Sequence, residues 1–177
     1  SNRQGTSLIA VWRDGKTRTE LTTRVDGFAD TRVQWSPERG EAIPLAHTLR
    51  LIRSIKIGGR VIDADGQPVA EAKVGFNHEE GPPALAQTEN HDFGWIEVST
   101  DGDGRWSFDR IAPDMIRRLY GGASHPDYVN SPMVFVGRSP GVEEQLRQST
   151  HVFQLGRAIA VRGLVVNGGG KPIPGAK

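Results

Sequence analysis

The chain has 177 residues and a mass of 19.3 kDa, room for one ordinary domain, or one domain with parts of its neighbours. Its 22 basic and 21 acidic residues nearly cancel, and only Arg117 and Arg118 put two basic residues side by side, so the basic stripe of a nucleic-acid binder is missing. Cys is absent and the wholly apolar runs reach about five residues at most, with four at Met133 to Val136; this excludes disulfide staples and thiolate metal sites and any membrane-spanning helix, which needs about 20 apolar residues.

Gly (22) and Pro (11) make up about a fifth of the chain, and alternation is the dominant pattern. Val33 and Trp35 share a face, whereas Trp12 sits beside the Asp14-Gly15 turn and stays open. Ile55, Ile57, Gly59 and Val61 follow at every second position, then Ala72, Val74 and Phe76, then Ile96 and Val98, then Trp106 and Phe108. A period of two places one set of side chains on one face, as in a half-buried strand. Turn chemistry separates these runs at Asp63-Ala64-Asp65-Gly66-Gln67-Pro68 and at Asp101-Gly102-Asp103-Gly104. Asp bonds nearby amides, Gly supplies positive φ and Pro fixes φ. Between His78 and Asp92 runs a polar connection containing Gly81-Pro82-Pro83, expected to be a surface loop. One helix is predicted, over Val142 to Arg147, where Val142 and Leu146 stand at i and i+4. Short strands punctuated by such turns predict an all-β sandwich. Its expected core is Ile57, Val61, Val74, Ile96, Val98, Trp106, Phe108 and Leu155.

The chain also repeats itself. His47 to Lys73 and His151 to Lys177 share ten identities in 27 ungapped positions, at a constant offset of 104. They include His47/His151, Arg53/Arg157, Gly59/Gly163, Gly66/Gly170 and Pro68/Pro172. A second correspondence, at offset 100, matches Phe28 with Tyr128, Asp30 with Asn130, Val33 with Met133 and Trp35 with Phe135. A period near 100 residues is a whole small domain. The expected organisation is the C-terminal half of a first repeat at 1–53, a complete β-sandwich at 54–157 and the start of a third repeat at 158–177. The missing initiator Met and the abrupt end at Ala176-Lys177 lead us to expect a segment of a tandem array in something longer.

The run from Gly59 to Val74, with Gly-x-Val, an Asp/Gly turn, Pro-Val and Ala-x-Val, resembles the opening of the carboxypeptidase regulatory-like domain. Thr100 to Phe108 is similar to that family's second signature, a Thr-Asp turn before an aromatic strand, and Ala123 to Tyr128 to its third. In the third, His125-Pro126-Asp127 replaces the usual Gly before the Tyr, while Asp26-Gly27-Phe28 fits better. The resemblance covers most of the chain. It implies a seven-stranded, prealbumin-like Greek-key sandwich, classed by some among carbohydrate-binding-like folds. It implies no catalysis, since such domains usually accompany peptidase, transporter or other envelope domains.

No constellation nominates an enzyme. The Asp-x-Asp-Gly turns look like calcium-loop fragments, but the twelfth positions are Val74 and Ala112, which cannot ligate. His47, His78, His91, His125 and His151 show no zinc spacing, although His78-Glu79-Glu80 and His91-Asp92 share one loop. No nucleophile has a positioned base, and nothing calls for a cofactor. One surface stands out. If Ile96 and Val98 face the core, Trp95, Phe93 and Glu97 face out. With Asp92, Glu89 and Asn90 nearby, they form a candidate glycan platform, an aromatic face with hydroxyl-binding groups around it. Packing of Trp95 against the loop or a neighbouring copy is the competing reading. The expected function is thus a non-catalytic structural and interaction module of an envelope or secreted protein. Its expected partners are neighbouring repeats, and glycans or another protein, with no nucleic acid and no membrane span. The alternatives are a carbohydrate-binding module and an accessory folding domain of a metallopeptidase or other enzyme.

Overall fold

A computed structural model of the chain describes residues 18–79, 89–90, 95–159 and 163–175. Two strands come first, β1 (Thr19–Thr23) and β2 (Thr31–Trp35). The middle of the chain supplies β3 (Ile55–Ile62), β4 (Lys73–His78), β5 (Glu89–Asn90), β6 (Ile96–Ser99), β7 (Arg105–Ile111), β8 (Leu119–Ser124), β9 (Tyr128–Val129) and β10 (Val134–Phe135). A six-residue helix, α1 (Val142–Arg147), precedes β11 (His151–Gln154) and β12 (Gly156–Arg157). The helix occupies the predicted residues.

Seven strands form the sandwich. One sheet has the order β10-β8-β4-β6 and the other β11-β3-β7. All pairings are antiparallel except β11 with β3, which run parallel. The inner faces meet through aromatic rings: Phe76 lies 5.5 Å from Trp106 and 6.0 Å from Phe153, centroid to centroid. Ile57, Val61, Val74, Ile96, Trp106 and Leu155 are buried, as the alternation predicts. Val98 and Phe108 are only partly buried and pack against the edge of that core; the Arg110 guanidinium lies over the Phe108 ring at 5.2 Å.

Two turns carry the chain from one sheet to the other. Asp63 Oδ1 accepts the amides of Asp65 and Gln67, both at 2.9 Å. Asp101 Oδ1 accepts those of Asp103 and Arg105 at 3.0 and 2.8 Å. The Asp and Gly content is thus explained by turn geometry, and Gly66 and Gly104 take the positive φ these turns need (80° and 71°). Thr100, buried, locks the two corners together: its hydroxyl accepts from Ala72 N (2.9 Å) and donates to Val69 O (2.7 Å).

The same bonds recur further along the chain. Asn167 Oδ1 accepts from Gly169 and Lys171, and Ile173 N bonds Val165 O as Val69 N bonds Val61 O. Glu71 and Gly175, also 104 apart, both have positive φ (57° and 75°). Near the start, Phe28 N bonds Val25 O as Tyr128 N bonds His125 O, and Phe28 bridges Arg53 as Tyr128 pairs with Arg157. The correspondence slips by one residue afterwards. Leu21 faces Val33 in the first hairpin, but Gly121 faces Val134, not Met133. Pro132 has no amide to offer the ladder, and Met133 is left 56% exposed. The sequence match of Val33 with Met133 and Trp35 with Phe135 is therefore displaced by one.

The first hairpin is continuous with the sandwich. Ala29 belongs to the common core and Asp30 N bonds Arg110 O at 3.2 Å. The predicted surface loop contributes β5, which pairs antiparallel with β2 and makes β1-β2-β5 a three-stranded sheet. The rest of that loop (80–88 and 91–92), like Trp12, lies outside the described residues.

Candidate functional site

The outer face of the sheet β10-β8-β4-β6 carries the candidate surface. On β6, Ile96 is buried and Val98 half-buried, so Trp95 and Glu97 take the opposite side. Trp95 is 60% exposed, the largest exposure of any described aromatic side chain. Its ring lies across Gly75 of β4, where a Cβ would overlap the indole. Gly75 is thus required for the close approach of the ring. Glu97 stands opposite Gly75 in the ladder and lies 3.7 Å from Lys73 Nζ, which also donates to Ser99 Oγ at 2.9 Å.

The next strand, β8, alternates in the same way: Leu119, Gly121 and Ala123 face the core, and Tyr120, Gly122 and Ser124 face out. Register places Tyr120 between Asn77 and Phe135, and Gly122 beside Gly75. The Tyr120 and Phe135 rings stack at 5.4 Å with planes 19° apart, and Arg138 caps Phe135 at 5.1 Å. Asn77 Oδ1 accepts the His78 amide at 2.8 Å, which orients the side chain and leaves its NH2 group pointing elsewhere.

Of the sequence-predicted platform, Trp95 and Glu97 fall on this face. Phe93 and Asp92 lie outside the described residues, and Glu89 and Asn90 form β5 against β2. Asn77 and Tyr120 were not anticipated. The alternation of Leu-Tyr-Gly-Gly-Ala-Ser gives Tyr120 a face, but only the strand order puts that face beside Trp95.

His151 is buried, with Nδ1 3.0 Å from Gln145 Oε1 and its ring edge-on to Phe153 at 4.6 Å; burial lowers its pKa below the usual 6.5. His47, 104 positions earlier, is exposed and stands edge-on to Trp35 at 5.4 Å. A cavity of about 270 Å³ is lined by Arg117, Val136, Arg138 and Glu143. Its arginines are already paired, Arg117 with Glu143 and Arg138 with Glu79. Among the described residues no three His, Asp or Glu side chains converge as a metal site would require.

No family model and no curated protein matches the chain. Among solved structures, it is similar to 3-chlorocatechol 1,2-dioxygenase from Rhodococcus opacus 1CP (12% identity, TM-score 0.40, covering 60% of each chain). It is also similar to catechol 1,2-dioxygenase from Pseudomonas arvilla C-1 (14%, TM-score 0.42, covering 60% of this chain and 53% of that one). A third is the dioxygenase domain of a dioxygenase carbohydrate-binding protein fusion from Streptomyces sp. SirexAA-E (14%, TM-score 0.35, covering 67% and 86%). The chain thus spans little more than half the length of the first two. Likeness of this degree carries no argument about activity, and none of the three is a carboxypeptidase regulatory-like domain.

Proposed function

We propose that the chain is a non-catalytic structural and interaction module: one complete carboxypeptidase regulatory-like sandwich at 54–157, joined on both sides to parts of neighbouring copies within a larger envelope or secreted protein. The observation that carries this reading is the recurrence of one set of backbone bonds. The Asp63 and Asn167 turns match bond for bond, as do the corners at Phe28 and Tyr128. Adjacent copies share packing instead of hanging on a linker: Ala29 enters the middle core, and β5 from the middle copy extends the first copy's sheet. Such continuity suits spacing or scaffolding, where orientation must pass from one domain to the next. The envelope location rests on the resemblance alone.

Amide hydrogen exchange of the full chain in increasing denaturant tests this. If the copies act as one continuous body, protection at Val33 in β2 and Val74 in β4 is lost over the same range. Opening of β2 far below β4 would mean independent beads and would remove the scaffolding reading.

A further inference from the structure

From the outer face of β6, β4 and β8, we infer a binding site for a pair of linked, uncharged sugar rings, with Trp95 as the stacking surface and Asn77 and Tyr120 as hydrogen-bonding groups. This inference does not rest on the scaffolding role and stands or falls separately.

Three observations converge. The first is pre-organisation. Trp95 is 60% exposed, yet its ring is seated on Gly75, which provides the space for it. An exposed ring already fixed in place loses little freedom on binding. The second is the pattern of polar groups. Asn77 is half-buried and spends its Oδ1 on the His78 amide. Its NH2 group and the Tyr120 hydroxyl have no partner among the described residues. Asn77 stands two residues from Gly75 on β4 and Tyr120 lies directly opposite it on β8, so both residues lie on the β8 side of the strand that carries Trp95. Sugars present an apolar ring face and a rim of hydroxyls, and this surface offers the complement of both. The third is charge. Among the described residues, the only charged groups on this face of β4, β6 and β8 are Lys73 and Glu97, which pair with each other at 3.7 Å. An uncharged ligand fits that neutral surface, whereas a uronic acid or an acidic peptide would find no free cation on it. The span from β6 to β8 is two strand spacings, roughly 10 Å, the length of two linked pyranose rings.

The platform differs from the one expected from sequence. That expectation ran along the chain, through Asp92, Phe93 and Trp95; this one runs across the strands, to residues 18 and 25 positions away from Trp95.

The test uses the full chain and a panel of neutral disaccharides (cellobiose, xylobiose, mannobiose, maltose), with digalacturonic acid and an apolar tripeptide as controls. Binding is followed by chemical-shift changes of the Trp95 indole NH and Asn77 NH2 signals. The expected result is millimolar affinity for at least one neutral disaccharide, about −4 kcal/mol, with those two signals moving together. Trp95→Ala is expected to weaken binding about tenfold or more through the lost stacking. Tyr120→Phe, which keeps the stack on Phe135, is expected to weaken it about two- to tenfold for one neutral hydrogen bond. Far-UV circular dichroism checks that both variants keep the fold. The inference is overturned if no neutral disaccharide moves either signal by about 10 mM, if Trp95→Ala binds as well as the parent, or if only the charged sugar or the peptide binds.

Discussion

Asp63 and Asn167, 104 residues apart, hold the same turn with the same atom. Each Oδ1 accepts two amides, from the residues two and four positions on, at 2.9 to 3.0 Å. The negative charge of Asp63 is therefore not what the turn requires. A carboxylate and an amide each present the one acceptor oxygen needed.

That equivalence makes the turn predictable by exchange between the two positions. Asp63→Asn should leave stability within about 0.5 kcal/mol of the parent, and Asp63→Ala should cost about 1–2 kcal/mol for two exposed hydrogen bonds. Glu71 offers the converse case: its φ is 57°, and the residue 104 positions on, with φ 75°, is Gly175. Left-handed backbone costs a side-chain-bearing residue roughly 1–2 kcal/mol. Glu71→Gly should therefore be neutral or stabilising, despite the usual entropic cost of glycine. Urea midpoints of the three variants check both statements; a clear loss in Glu71→Gly would contradict the second.

In the core, Trp106 and Gly59 form one joint. The Trp106 ring lies against Phe76 and stacks on Phe153 at 6.1 Å. A Cβ on Gly59 would collide with the His151 backbone carbonyl and approach the Trp106 indole nitrogen. Trp106→Ala should cost about 3–5 kcal/mol as a buried large-to-small change. Gly59→Ala, one added methyl, should be comparably damaging, because it wedges β3 from its parallel partner β11 and backbone cannot move aside cheaply. Thermal unfolding measures both; a near-neutral Gly59→Ala would mean that the β3–β11 pairing is looser than its ladder implies.

His151 gives stability a pH dependence whose sign can be worked out. Burial lowers its folded-state pKa below the ordinary 6.5. As pH falls from about 6.5, the unfolded chain takes up the proton before the folded one does. The unfolded state then binds more protons, so stability is complete above the unfolded pKa and is lost as pH falls towards the folded one. Among the described residues Nε2 has no hydrogen-bond partner, while Nδ1 meets Gln145. Urea midpoints at about pH 7.5 and 5.5 should fall with acid in the parent. His151→Gln should flatten that window; an unchanged slope in the variant would assign the effect to other groups.

Much of this was readable from residue order, and the limits have physical causes. Strands β3, β4, β6 and β7 are long enough for alternation to register, and their turns carry Asp and Gly where the geometry requires them. Strands β9, β10 and β12 have two residues each, too few to show any period. The parallel pairing of His151 to Gln154 with β3 is non-local, and only the alternation of buried His151, Phe153 and Leu155 hints at it. The sequence places Trp95 outside because its neighbours Ile96 and Val98 settle its face. Its neighbours in space were missed because the order β8-β4-β6 is a property of the whole sheet.

The join between the first hairpin and the sandwich turns on Asp30. Its side chain is 4% exposed, with Arg24 Nε at 3.3 Å and Arg110 Nε at 3.6 Å. Arg24 belongs to the first hairpin and Arg110 to β7, so one buried carboxylate gathers cations from the hairpin and from the sandwich. Among the described residues Oδ1 makes no hydrogen bond and depends on Arg110 for its compensation. Arg110 is 40% exposed, so solvent screens its share and the pair is worth less than a buried bridge. Removing Arg110 still strips a buried carboxylate oxygen of its partner, at a cost of about 1–3 kcal/mol. Arg110→Ala should therefore destabilise the chain more than Arg24→Ala, whose guanidinium is 66% exposed. In Asp30→Asn, which removes the buried charge and keeps the shape, Arg110→Ala should cost markedly less. A double-mutant cycle of Asp30→Asn with Arg110→Ala, read from denaturant unfolding, isolates the coupling. A coupling below about 0.3 kcal/mol, the usual limit of additivity, would leave backbone and core contacts at Ala29 as what joins the hairpin to the sandwich.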